Sequence, residues 1–191
     1  TFVLVCWTVV SWQGQPYSSQ WGEARGETLL VQTEASEYNL KLARIYATAK
    51  FIAWPEEEAG TPAPFVIGVV TPDPFQGGLE KLAVRKIKDR PIRTVVIRSE
   101  KDYVDCHVLF VPAEANQGLV DDLIKLTLDR PVLVWRDRSD GGPGTGVACT
   151  FVREDESLLI ETDPAELKRR GLVPDGRLLS LNLIRIVKPR K

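Results

Sequence analysis

Three places in the chain bring together residue types that could do chemistry. Cys106 and His107 are adjacent, and a thiol beside an imidazole can act as a nucleophile with its base. Gly141-Gly142-Pro143-Gly144-Thr145-Gly146 is glycine-rich enough to suggest a phosphate loop. Thr71, Asp73, Glu114, Arg136 and Asp137 each follow an apolar run, so a sheet could gather them at one end as a polar set. The cysteines are Cys6, Cys106 and Cys149. An odd count allows one disulfide and a free thiol, and a Cys106–Cys149 pair would need an oxidising compartment.

The elements that carry these residues decide most of the chemistry. His107 to Val111 reads as a short strand that Cys106 enters. Neighbours on a strand point to opposite faces, so thiol and imidazole cannot share a proton. A phosphate loop closes with Gly-Lys-Ser/Thr at the start of a helix. Here Pro143 interrupts, no lysine follows and the next segment is strand-like, so a mobile loop is expected. One histidine and three dispersed cysteines do not compose a four-ligand metal site, and neither a metal nor a cofactor is expected. A phosphoacceptor site of the receiver type would need an aspartate at the end of the third strand, where Val111-Pro112 stands.

Periodicity supplies the framework. Tyr38, Leu42, Ile45, Ala49 and Ile52 form one apolar stripe on a helix from Thr28, which Trp54-Pro55 ends. Phe65 to Val70 is a continuous apolar run, as for a strand buried on both faces. Asp73 as cap, Pro74 and Gln76 predict a helix from there to about Val84. Ile92 to Arg98 is a second strand, His107 to Val111 a third and Val132 to Trp135 a fourth. Asn116 to Leu128 is a helix with Leu119, Val120, Leu123 and Leu126 inward. Val147 to Val152 and Leu158 to Glu161 are too close for anything but an antiparallel hairpin. Asp163 and Glu166 then form a capping box on a short helix that Gly171 stops, and Leu178 to Val187 is a last apolar segment.

Strands alternating with helices at this spacing predict an α/β fold: a three-layer α/β/α sandwich on a mostly parallel, flavodoxin- or Rossmann-like sheet, with a C-terminal antiparallel hairpin. Such sheets bind ligands at the carboxyl ends of their strands, where the order reverses. In a flavodoxin-like order that crevice lies between the first and third strands. Thr71, Asp73, Glu114, Arg136 and Asp137 are its expected lining, with a small molecule as ligand.

The chain has 191 residues, 43% of them hydrophobic, and a net charge of −1. That balance excludes a nucleic-acid partner recognised by bulk charge. Residues 2–10 are an apolar run too short to span a bilayer and suited to the core of a secretory signal. Residues 1–27 are therefore expected to be a signal-like or disordered segment, and 28–191 a single domain.

The order of these signals resembles the YfiR family. The pieces are Lys50-Phe51-Ile52-Ala53-Trp54-Pro55, Pro64 to Val69, Pro72 to Phe75, Asp105 to Phe110, Arg130 to Leu133, and Ala165 to Leu172. The resemblance implies a periplasmic protein without catalytic activity. Such a protein restrains a membrane-bound diguanylate cyclase, and so c-di-GMP signalling, by binding the cyclase's outward-facing domain. It leaves a homodimer open. Some members are controlled through cysteines, which makes Cys106 and Cys149 the redox candidates. Two departures stand out: this chain has fewer cysteines than those members, and Arg136-Asp137-Arg138 stands where the family is less charged.

Overall fold

The computed structural model describes residues 21–55, 63–138, 144–155, 157–179 and 184–187, with side chains from Ser36 onward. The chain clusters into two compact units, Thr1–Glu34 and Ala35–Lys191. The expected signal run and the Pro143 interruption lie outside the described residues.

Helix α1 runs Trp21–Lys50. It starts seven residues before the expected Thr28, inside a stretch whose polar composition hid it. Leu42, Ile45 and Ala49 are buried, with Tyr38 packed beside them. Ile52 is buried too, but not on the helix. It belongs to β1 (Ile52–Ala53), which pairs antiparallel with β9 (Val173–Pro174).

The main sheet contains β2 (Phe65–Val70), β3 (Lys86–Ile87), β4 (Arg90–Ile97), β5 (Val108–Val111), β6 (Leu133–Asp137), β7 (Cys149–Glu154), β8 (Ser157–Thr162) and β10 (Ile184–Ile186). Their spatial order is β10-β8-β7-β6-β5-β2-β4-β3. The four expected parallel strands thus lie in the order 2-1-3-4, as the flavodoxin-like reading requires. β4, β2, β5, β6 and β7 run parallel to one another, while β3 pairs antiparallel with β4. β7 and β8 form the expected antiparallel hairpin, and β10 lies parallel to β8.

The pleat divides the core. Phe65, Ile67, Val69, Val108, Phe110, Leu133 and Trp135 join α1 and α2 (Gly78–Ala83) on one face. Val70, Leu109, Val111, Val132 and Val134 join α3 (Gln117–Thr127) on the other. With both faces covered, an unbroken apolar strand is the stable solution. On α3 the buried positions are Val120, Leu123, Ile124 and Thr127, one step round from the expected Leu119 and Leu126, which are half-buried.

Helix α2 is shorter than expected. Asp73 Oδ1 accepts the Phe75 N–H at 2.9 Å, a local turn and not a helix cap. Gln76 (φ 46°) and Gly77 (φ 80°) are left-handed, so the helix cannot begin before Gly78. Asp163 does cap α4 (Pro164–Arg169), accepting from Ala165 N at 2.9 Å and Glu166 N at 3.3 Å. The reciprocal half of that box is absent because the Asp163 N–H is bonded to the Ala148 carbonyl. Glu166 turns instead to Arg169 and Arg170.

Candidate functional site

Cys106 and His107 are placed by the first turn of the pleat into β5, and they part to opposite faces. The Cys106 side chain belongs to the α3 face, and burial pushes its thiol up to about 12. His107 faces the α1 side, stacked on Phe65 at 4.5 Å and edge-on to Trp54 at 5.6 Å. Its Nδ1 accepts the Val66 N–H at 3.1 Å, while its own backbone N–H reaches the Val66 carbonyl at 2.9 Å. The imidazole therefore stands in for a missing ladder acceptor at the start of β2, and it has no nucleophile to serve.

Cys106 and Cys149, the redox candidates, are not bonded to each other in this structure. Both thiols are free and buried. Cys149 lies on the α1 face, beside Thr162 Oγ1 at 3.8 Å, and burial pushes it up to about 12 as well. The sheet stands between the two sulfurs, so no bond can join them in this fold. Gly68 faces the Cys106 side. A Cβ there would meet Ile97 Cδ1 at 3.0 Å and the Cys106 sulfur at 3.5 Å.

At the carboxyl edge of the sheet the expected lining divides in the same way. Arg136 leans to α3, where its Nη2 donates to Gln117 Oε1 at 2.6 Å. Asp137 leans to α1, where Lys41 Nζ meets its Oδ2 at 2.7 Å, and both side chains are nearly excluded from water. Lys41 also meets Glu37 at 2.8 Å, and Glu37 bonds Arg153. Thr71 follows β2, its N–H bonded to the Ile97 carbonyl at 3.0 Å, while Asp73 and Glu114 are exposed. Arg136 and Asp137 thus cannot converge on one ligand: adjacent strand residues serve different layers.

The glycine-rich segment ends on a packing role. Gly146 has φ 78°, and a Cβ there would lie 2.5 Å from Ile124 Cγ2. Its carbonyl accepts from Arg170 Nη2 at 2.7 Å. The buried Arg170 also donates to the Thr127 carbonyl at 2.6 Å and to Glu166 at 2.7 Å. One guanidinium thereby ties α3, the glycine turn and α4 together.

A cavity of about 460 Å3 opens at the opposite, amino edge of the sheet. It is lined from the segments that lead into β2, β4, β5 and β6, among them Val66, Arg90, Arg93, Tyr103, Asp105 and Arg130. Sequence reasoning missed it because the rule for open sheets points to the carboxyl edge. The visible signal was three arginines placed just before or early in predicted strands.

Among the described residues there is no cluster of ligand types that could hold a metal ion, and no helix long and apolar enough to cross a membrane. The family described as DUF4154, YfiR/HmsC-like, matches residues 38–182. No curated protein matches the chain.

Proposed function

Because the chain belongs to the YfiR/HmsC-like family, whose members are periplasmic regulators of diguanylate cyclase signalling, we propose that it is an exported, non-enzymatic protein that restrains a membrane-bound diguanylate cyclase. It does so by binding the outward-facing domain of that cyclase. The observation that carries this reading is the match itself, which runs from the stripe of α1 at Tyr38 to residue 182. The non-enzymatic part is supported by the separation of Cys106 from His107, the nucleophile and base that the sequence offers. The divergence of Arg136 and Asp137 weighs against the second reading, a small-molecule sensor at the carboxyl-edge crevice.

The test is retention of the purified protein on the immobilised outward-facing domain of a membrane-bound cyclase encoded beside it. Saturable binding, with raised c-di-GMP in cells lacking the protein, is the expected result. Light scattering on the same sample reports whether the regulator acts as a homodimer. Absence of binding, together with thermal stabilisation by a small metabolite, would overturn the reading.

A further inference from the structure

The chain is almost neutral, yet the amino-edge cavity sets three arginines, Arg90, Arg93 and Arg130, against one carboxylate, Asp105. His107, also in the lining, is engaged by the Val66 N–H at its Nδ1. The arginines are held differently. Arg90 Nε donates to the Ala63 carbonyl at 2.6 Å, and its guanidinium lies 5.9 Å above the Phe65 ring. Those contacts fix its position. Arg130 pairs with Asp105 over the Tyr103 ring. Arg93 has no hydrogen-bond or ionic partner among the described residues.

Below this rim the lining changes character. Val66, Pro131 and Val132 are apolar, and the Cys106 thiol lies at the inner end. The Tyr103 hydroxyl is buried against that thiol, a weak acceptor, and has no oxygen or nitrogen partner. Sulfur satisfies a hydroxyl poorly, and an oxygen brought in by a ligand would be the better acceptor. The volume falls in the range of small-molecule sites and far exceeds that of a bare inorganic ion. Cationic rim, apolar wall and a weakly satisfied donor are together complementary to one class of guest. We propose that the cavity binds a small organic anion, a carboxylate or phosphate head group carried on an apolar body. Arg93 grips the head group, and the Tyr103 hydroxyl donates to an oxygen of the guest. Binding is not followed by chemistry, because the thiol at the inner end is buried in its neutral form.

The test is calorimetric titration of the full chain, at low salt, with phenylpropionate, phenyl phosphate and inorganic phosphate. One of the two aromatic anions should bind at a single site with Kd below about 1 mM, and whichever binds more tightly names the head group. R93Q, an exposed substitution, should weaken binding at least ~10-fold, the loss of one charge-assisted contact. Y103F should weaken it several-fold. R177Q, an exposed arginine outside the cavity lining, should leave it unchanged. Amide shifts of Val66, Cys106 and His107 should move on titration. Failure of both aromatic anions to saturate would overturn the proposal, and so would equal weakening by R177Q and R93Q. Inorganic phosphate binding as tightly as phenyl phosphate would overturn the part played by the apolar wall. No cyclase enters this experiment, so its failure leaves the proposed partnership standing.

Discussion

Lys41→Met and Asp137→Asn remove opposite ends of one buried ion pair, and the structure predicts unequal costs. Nζ and Oδ2 are 2.7 Å apart, with side-chain exposures of 6% and 9%. At an effective dielectric constant of about 20 the attraction is about 6 kcal/mol. Taking each ion out of water costs several kcal/mol, so the intact pair is near break-even against an apolar replacement. Truncation is different because it leaves one charge behind. Asp137 has no partner but Lys41 among the described residues. Lys41→Met therefore buries an unpaired carboxylate, and should cost about 3–4 kcal/mol. Asp137→Asn leaves Lys41 with Glu37 at 2.8 Å and the Tyr38 ring at 4.4 Å, and should cost about 1–2 kcal/mol. The double variant K41M/D137L should return to within about 1 kcal/mol of the parent. Equilibrium urea unfolding measures all three, with an unchanged slope as the check that the midpoint reports stability. A larger cost for Asp137→Asn than for Lys41→Met would refute the reasoning, as would single costs that simply add in the double variant.

Gly146→Ala combines a left-handed backbone with a Cβ 2.5 Å from Ile124 Cγ2, and should cost about 2–4 kcal/mol in the same assay. Gly176→Ala, with nothing within 4 Å of its Cβ, should stay within about 0.5 kcal/mol. In a Cys6→Ser background, Ellman's reagent at about pH 8 should label neither Cys106 nor Cys149 until denaturant is added, since burial holds both thiols up at about 12. Stoichiometric labelling of the native protein would contradict that. At Glu166, burial pushes the carboxyl up, but the hydrogen bonds from Arg169 and Arg170 outweigh it and hold the group below its ordinary value. Its contribution is complete above the unfolded value of about 4.3 and is lost as pH falls through the lower folded value. Arg170→Met should flatten the loss of stability below about pH 4, read as urea midpoint against pH.

Much of the fold was legible because it rests on strong local signals. Phe65–Val70 could only be a two-faced strand, and the Arg153–Ser157 spacing could only be a hairpin. The parallel sheet followed from the alternation of strands and helices, while its flavodoxin-like order was one of two the sequence left open. The helix start at Asp73 failed because the same aspartate can cap a turn, and Gln76 and Gly77 then bend the chain away from helix. The candidate site was legible where the pleat was applied and lost where it was not. Alternation separated Cys106 from His107 on sequence alone, and the same rule would have separated Arg136 from Asp137. The amino-edge cavity left only its three arginines as a signal: its lining comes from four segments far apart in the chain and meets only through the strand order.

The ends of the sheet limit how anything can dock. In the described residues, β3 offers two residues at one edge and β10 three at the other, with Arg185 of β10 engaged by Glu154 and Glu161. β3 pairs only Arg90 and Pro91 of β4, so among the described residues Arg93 to Ile97 have no strand on that side, and a partner strand would find its longest ladder there. Recognition by strand addition is therefore confined to the β4 side, and elsewhere it is written in side chains on the helical layers and loops, where substitutions should tune affinity without touching the fold.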